Sequence, residues 1–352
     1  MQKIALVGAS GAIGRSIANA LNKENCEYRV VGRNPGPLTA TFGNNKLAEI
    51  STWNPDDPVS ARAALRGSHT IVYLVGVPYH QFELHPVLMR KTLDAAIAEG
   101  VERLLLIGTV YPYGIPRTTP VAEDHPREPH TFKGRMRKEQ EDVLLEADAA
   151  GKIRGAILRL PDFYGPNVKS SFLYSVFQAV AHGGTANMIG PIDTLHEFVF
   201  VPDVGPVVTA LSAHPGPWGR WWHLAGAGFA TQRDLAERVF KMAGTKPRIR
   251  VAGKTMLRLL GLFNPLMREL VEMHYLFTTP VLLDDSRLKG LLGAISKTPY
   301  DEGLRKSLDA ALLIDLTLTI GFYNAVVRIL ATLQIDVEPD YQPYLDKFPL
   351  PK

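Results

Sequence analysis

The first twelve residues with chemical consequence are Lys3-Ile4-Ala5-Leu6-Val7-Gly8-Ala9-Ser10-Gly11-Ala12-Ile13-Gly14. A short apolar run ends at Gly8, and glycines return three and six residues later. Gly8 permits a sharp exit from a strand, and Gly11 lets the backbone approach a pyrophosphate. Gly14 lets the following helix pack closely on that strand. The free N–H groups at the helix start, over Ser10, Ala12 and Ile13, then face phosphate oxygens together with the positive helix end. A second position refines the ligand. The next strand ends Val30-Val31-Gly32-Arg33-Asn34, with no Asp or Glu to hold ribose hydroxyls. Arg33, with Asn34 beside it, is placed to pair with a 2′-phosphate, which points to NADP(H). The alternative is that Arg33 is a solvated loop side chain.

Such a loop works only if a sheet holds it. Strand-like runs fall at 3–7, 28–32, 48–51, 70–75, 103–108 and 155–160, separated by amphipathic segments at 60–65, 86–99 and 135–147. Buried apolar strands alternating with helices predict an α/β, Rossmann-type doubly wound parallel sheet. Its ligand crevice lies at the C-terminal strand ends. The expected organisation is a dinucleotide-binding core over 1–165, to which a strand at 221–226 returns. A smaller substrate-capping part covers 166–312, and a helical extension covers 313–352. Helical patterns are read at 170–181 and 231–243, with a strand at 196–201. A long apolar segment at 255–275, broken by Pro265, reads as a packed helix pair, with a substrate lid or a membrane-surface contact as the alternative.

Composition narrows the classes. The chain has 352 residues, 46% hydrophobic and 21% charged, with a net charge of +4 and one cysteine, Cys26. That suits a soluble globular enzyme in a reducing compartment and excludes a disulfide framework. No basic stripe with interleaved aromatics suggests nucleic acid. No signal peptide pattern opens the chain, and no uninterrupted apolar run reaches spanning length, so a cytoplasmic protein without stable membrane insertion is expected. His80 and His85 follow the fourth strand and could line a pocket. They lack acidic or thiol partners at ligand spacing, so no metal is expected.

Several ordered segments together resemble the extended short-chain dehydrogenase/reductases of the NAD-dependent epimerase/dehydratase group. Gly8-x-x-Gly11-x-x-Gly14 matches the glycine spacing, and Leu74-Val75-Gly76 stands at the family's turn beside the cofactor. Thr109-Val110-Tyr111-Pro112-Tyr113-Gly114 resembles the Ser/Thr-x-x-Val-Tyr-Gly segment. Arg159-Leu160-Pro161-Asp162-Phe163-Tyr164-Gly165-Pro166 resembles Arg-x-x-Asn-Val-Tyr-Gly-Pro, and implies Pro161 and Phe163 at the cofactor. His196-Glu197-Phe198-Val199-Phe200-Val201-Pro202-Asp203-Val204 resembles Arg-Asp-Phe-Val-His-Val-x-Asp-Val.

One departure dominates. The family carries Tyr-x-x-x-Lys at the start of the helix after strand five, the tyrosine moving a proton and the lysine holding the nicotinamide ribose. This chain reads Phe132-Lys133-Gly134-Arg135-Met136-Arg137, and no tyrosine lies between Tyr113 and Tyr164. Aligned on the glycine, Lys133 takes the tyrosine position and Arg137 the lysine position. Lys133 then serves as the acid, with Arg137 and a cationic nicotinamide favouring release of its proton. Thr109 can donate to a substrate carbonyl, and Tyr111 or Tyr113 could replace the missing phenol. Alternatively Lys133 and Arg137 merely begin a solvent-facing helix. The resemblance thus implies an NADP(H)-dependent oxidoreductase acting on a small or medium carbonyl, alcohol or activated alkene. A nucleotide-sugar epimerase or dehydratase, or a non-catalytic NADPH-binding regulator, are the alternatives. The segment 315–339 faintly resembles the end of carboxymuconolactone decarboxylase-like proteins. Its apolar helix suggests a brace or a homodimer contact.

Overall fold

The computed structural model describes residues 3–332, together with Pro343 and Lys347. Strands and helices alternate through β1 (Ile4–Val7), α1 (Ala12–Lys23), β2 (Tyr28–Gly32), α2 (Pro35–Phe42), β3 (Ala48–Thr52), α3 (Pro58–Leu65), β4 (Thr70–Tyr73), α4 (Leu84–Ala98), β5 (Arg103–Thr109), α5 (Phe132–Ala149) and β6 (Arg154–Leu160). The chain continues through β7 (Asp162–Tyr164), α6 (Tyr174–Ala181), β8 (Ala186–Ile189), β9 (Leu195–Phe200), α7 (Val201–Ala213), β10 (Arg220–His223), β11 (Phe229–Thr231), α8 (Gln232–Met242), β12 (Ile249–Ala252), α9 (Lys254–Leu260), α10 (Pro265–Met273), α11 (Tyr275–Thr278), α12 (Ser286–Leu292) and α13 (Tyr300–Thr332).

Seven strands form one sheet in the order β10-β6-β5-β4-β1-β2-β3. Every neighbouring pair is parallel, with Val7 facing Val31 on one side and Tyr73 on the other. The strand period of two sends alternate residues to two separate cores. Leu6, Val30, Val72, Leu105 and Leu158 pack on one face, while Val7, Val31, Tyr73, Leu106 and Ile157 pack on the other. Burial on both faces is why these strands read as nearly continuous apolar runs. The strand order reverses between β1 and β4, which opens the crevice above their C-terminal ends.

The remaining elements form two small sheets, β11-β9-β7 and β12-β8. A third core, with Tyr164, Phe177, Phe198, Phe240 and Leu304, holds them to α6, α8 and the start of α13. Helix α7 crosses back over α1, where the Ser16 hydroxyl donates to the Val201 carbonyl at 2.7 Å and accepts from the Gly205 N–H at 3.0 Å. Helix α6 starts later than its sequence pattern suggests. Ser171 uses its hydroxyl to accept from the Leu173 N–H, making a turn where the first helical turn was expected.

The segment read as a packed helix pair is three short helices. Asn264 accepts from the Leu266 and Met267 N–H groups and caps α10, with Pro265 in its first turn. Leu257, Leu270 and Met273 are buried, but Met256, Leu259, Leu260, Leu262, Phe263 and Leu266 are exposed. Helix α13 runs unbroken past residue 312, and it contains a stretch long and apolar enough to cross a membrane by length and composition. Asp315, Thr317, Thr319 and Gly321 interrupt its apolar run in sequence, which hid that length. Residues 334–339 of the faint C-terminal resemblance lie outside the described residues.

Candidate active site

The glycine loop leaves β1 at Gly8, whose φ is +90° and whose N–H donates to the Val31 carbonyl at 2.8 Å. A Cβ there would sit 2.8 Å from the Val75 nitrogen, so Gly8 and the Leu74–Gly76 turn are packed backbone to backbone. The Leu74 N–H donates to the Val7 carbonyl at 2.7 Å and fixes that turn. At Gly14 an added Cβ would fall 2.2 Å from the Ala9 carbonyl oxygen, so only glycine lets α1 start there. Gly11 differs: nothing lies within 4 Å of its would-be Cβ, and the same holds at Gly76. Gly11 is also the N-cap of α1 and supplies no side-chain cap. The first N–H groups of α1, at Ala12 and Ile13, thus have no side-chain cap among the described residues and could hold a dinucleotide pyrophosphate. Gly14→Ala is accordingly expected to abolish dinucleotide binding measured by fluorescence titration, while Gly76→Ala, at an open position, weakens it less than about tenfold.

At the end of β2, Arg33 is exposed and has no ion pair among the described residues. Asn34 has a local duty: its side chain accepts from the Gly36 N–H at 3.0 Å and caps α2. Pro161 is buried and Phe163 half-buried at the start of β7, against the core beneath the crevice.

The expected catalytic residues separate into three groups. Thr109 ends β5, and its hydroxyl accepts from the Tyr111 N–H at 3.3 Å. The Tyr111 phenol meets that of Tyr79, from the loop after β4, at 2.9 Å. Both phenols keep their protons beyond the usual range, chiefly because burial disfavours the phenolate and, for each, because the Asp162 carboxylate lies nearby. Tyr275 joins them: among the described residues its hydroxyl is buried without a hydrogen-bond partner, and burial, then the Glu272 and Asp162 carboxylates, keep its proton on. Asp162 is itself held by His196 at 2.5 Å. Thr109, Tyr111, Tyr79, Tyr275 and Asp162 thus form one aromatic, hydroxyl-rich site.

Tyr113 is not brought into that site. It is fully buried, its hydroxyl accepts from Arg159, and it donates to His223 Nε2 at 2.6 Å. The His223 Nδ1 group donates to the Asp284 carbonyl at 2.9 Å, which fixes this tautomer. Burial first, then the Arg159 guanidinium, pushes His223 down to about 3, so it is neutral. Arg159 in turn grips Glu141 through two nitrogens, and Arg127 reaches the same carboxylate at 3.1 Å.

Lys133 and Arg137 form the third group. Lys133 is 1% exposed, and its ammonium is enclosed by Glu269 at 2.5 Å and Glu272 at 2.8 Å, both from α10. The Lys133 N–H also donates to Glu272, at 3.2 Å. Carboxylates, rather than the cations expected from sequence, surround it. Arg137 is buried and hydrogen-bonds His85 Nδ1 at 3.1 Å and the Ile107 carbonyl at 3.3 Å. Burial, then the Arg137 charge, pushes His85 down to about 2, so it stays neutral and accepts from the guanidinium. Neither residue begins a solvent-facing helix face.

Sequence reasoning missed the two glutamates and Tyr275; the glutamates lie 136 and 139 positions from Lys133, with no local signal. Among the described residues, no cluster of His, Cys, Asp and Glu could hold a metal ion.

Comparison with known proteins agrees with this architecture. The chain is 26% identical over 247 residues to the probable dTDP-4,6-dihydroxy-2-methyloxan-3-one 4-ketoreductase of Streptomyces antibioticus, covering 69% of this chain and 77% of that protein. It is 25% identical to the dTDP-6-deoxy-L-talose 4-dehydrogenase (NAD(P)(+)) of Kitasatospora kifunensis, covering 70% and 81%. The fold is shared with the UDP-glucuronic acid 4-epimerase from Bacillus cereus in complex with NAD, at a TM-score of 0.74 and 16% identity over 89% of this chain and 100% of that one. Residues 4–218 match the sequence profile of one family, and on that match the chain belongs to the NAD dependent epimerase/dehydratase family.

Proposed function

We propose that this member of a family of nicotinamide-dependent oxidoreductases and epimerases is an NADP(H)-dependent oxidoreductase. It moves a hydride to or from a small or medium carbonyl, alcohol or activated alkene. The observation that carries this reading is the hydrogen-bonded pair of buried phenols, Tyr79 and Tyr111, beside Thr109 at the end of β5. A nicotinamide dinucleotide held at the glycine turn would supply or accept the hydride. Reduction of a carbonyl places negative charge on its oxygen, and a buried hydroxyl that retains its proton is a donor for that charge. Tyr111 takes this role, Tyr79 hydrogen-bonds and orients it, and Thr109 supports the loop. Lys133, held by Glu269 and Glu272, positions the start of α5 and the ribose edge of the site.

The ketoreductase and 4-dehydrogenase named among the relatives support ketone–alcohol chemistry and favour a nucleotide sugar as a second substrate reading. A panel of aldehydes, ketones, enones and nucleotide keto-sugars, followed by NADPH oxidation, tests both. Turnover confined to keto-sugars selects the second reading. Tight NADPH binding without any turnover identifies a regulator instead.

The preference for NADP(H) rests on Arg33. Its exposed guanidinium has room for a charge-assisted contact to the 2′-phosphate, which contributes about 1.5–3 kcal/mol. Arg33→Ala should weaken NADPH binding about tenfold or more and leave NADH binding within about twofold, as read by isothermal titration. Equal losses for both cofactors would overturn the assignment.

A further inference from the structure

The α9–α10 segment carries its apolar residues on the wrong side for a packed helix pair. Leu257 of α9, and Leu270 and Met273 of α10, fix the segment to the body. The apex points away from it: Leu262 is 75% exposed and Phe263 90% exposed, with Met256, Leu259, Leu260 and Leu266 around them. The apex is preformed, because at Gly261 an added Cβ would lie 2.9 Å from the Arg268 Cα, leaving the turn no slack. An apolar patch of this kind on a rigid turn marks a contact surface.

Charge identifies what it contacts. From residue 244 to 268 the chain has six cations, Lys246, Arg248, Arg250, Lys254, Arg258 and Arg268, and no acid. All six are exposed. Among the described residues only Arg268 meets a carboxylate, Glu269 at 3.7 Å, and that carboxylate already serves Lys133. An open groove of about 670 Å³ runs between Arg135 of α5 and Lys254 and Arg258 of α9, beside exposed Phe132. An exposed apolar apex on a segment rich in exposed cations, with Lys254 and Arg258 meeting Arg135 at one groove, suits the boundary between acyl chains and anionic headgroups. It does not suit a second copy of the chain, since a two-fold contact would set like charges against each other.

Helix α13 presents the same chemistry independently. Beyond Leu308, which is buried, Leu313, Leu316, Leu318, Ile320, Phe322 and Ile329 are all exposed. At a helical period these positions fall on two opposite sides of the axis instead of forming one stripe. A paired helix would bury one stripe, whereas apolar residues on opposite sides of one helix are covered together by hydrocarbon. Residues 312–329 rise roughly 27 Å, close to the thickness of a bilayer's hydrocarbon core.

We propose that the α9–α10 apex and the distal half of α13 seat this protein on an anionic lipid bilayer, the apex in the headgroup interface and α13 in the hydrocarbon. Helix α10 also carries Glu269 and Glu272 onto Lys133, so the docking surface and the roof of the candidate site are one element.

Flotation of the full chain with vesicles tests this. The protein should float with phosphatidylcholine vesicles containing phosphatidylglycerol and resist extraction by high salt. The affinity for vesicles of phosphatidylcholine alone should be about tenfold lower or less. Lys254→Glu with Arg258→Glu should remove the preference for phosphatidylglycerol. Leu262→Ser with Phe263→Ser should lower partitioning about tenfold or more. Leu318→Arg with Ile320→Arg should leave binding that high salt removes. Each variant should keep the wild-type circular dichroism melt, because none touches a buried side chain. Wild type that stays in the soluble fraction with both vesicles overturns the proposal. So does unchanged partitioning of the Leu262/Phe263 variant, and so does a stable dimer in solution that this variant dissociates. Wild type released by salt alone overturns the insertion of α13.

Discussion

Replacing Arg159 by Met is expected to cost the fold about 3–5 kcal/mol, the range for removing one partner of a buried ion pair. Arg159 is fully buried between β5, β10 and α5 and serves Glu141 and the Tyr113 hydroxyl together. Its removal leaves the buried Glu141 carboxylate with Arg127 alone and Tyr113 without its donor. A loss of that size is a large fraction of the about 5–15 kcal/mol that stabilises a typical domain. Urea denaturation followed by far-UV circular dichroism reads it directly. The double variant Arg159→Met with Glu141→Met should recover most of the loss, because it removes both charges and keeps similar volume. If Arg159→Met unfolds at the wild-type urea midpoint, or if the double variant is no better than the single, the network does not stabilise the fold as described. The stacking of Arg159 on Tyr113 and Trp221, at 4.5 and 5.1 Å, predicts that Arg159→Lys falls between the two, since an ammonium keeps charge but loses the planar fork.

The sheet was legible because its signal is local. Most strands of the core are short apolar runs, and β2 matches its expected limits to the residue. The glycine turn after β1 was legible for the same reason: Gly8 and Gly14 act through close backbone packing within one turn. The candidate catalytic site was only half legible. Its β5 half, Thr109 and Tyr111, follows a strand that the pattern located. Its roof could not be read, because Tyr275, Glu269 and Glu272 sit on short helices whose docking depends on tertiary packing. Lys133 shows the consequence. Position alone made it a proton donor crowded by Arg137, while the fold sends Arg137 to His85 and brings two carboxylates to Lys133. Tyr113 shows the complementary difficulty, since two phenols two residues apart on one loop turn to opposite sides. Tyr113 is held by His223 and Arg159 from other strands, and Tyr111 by Tyr79 from the loop after β4.

Tyr111→Phe should lower kcat about a hundredfold or more, the usual range for losing a positioned proton donor, with NADPH affinity unchanged. The phenylalanine keeps the ring packed against Phe82 and removes one hydroxyl. Tyr79→Phe should cost less, about tenfold, because it removes only the partner that orients the donor. Lys133→Met should act differently. It deletes a cation held by two carboxylates, so it should lower stability and raise KM while keeping kcat within about tenfold. The comparison is made on whichever carbonyl the panel turns over, with NADPH binding titrated for every variant. Burial holds both phenols protonated well past neutrality, so kcat should not fall between pH 6 and 9, roughly, through loss of the donor proton. A collapse of kcat in Lys133→Met beside a near-normal Tyr111→Phe would return the proton-donor role to the lysine.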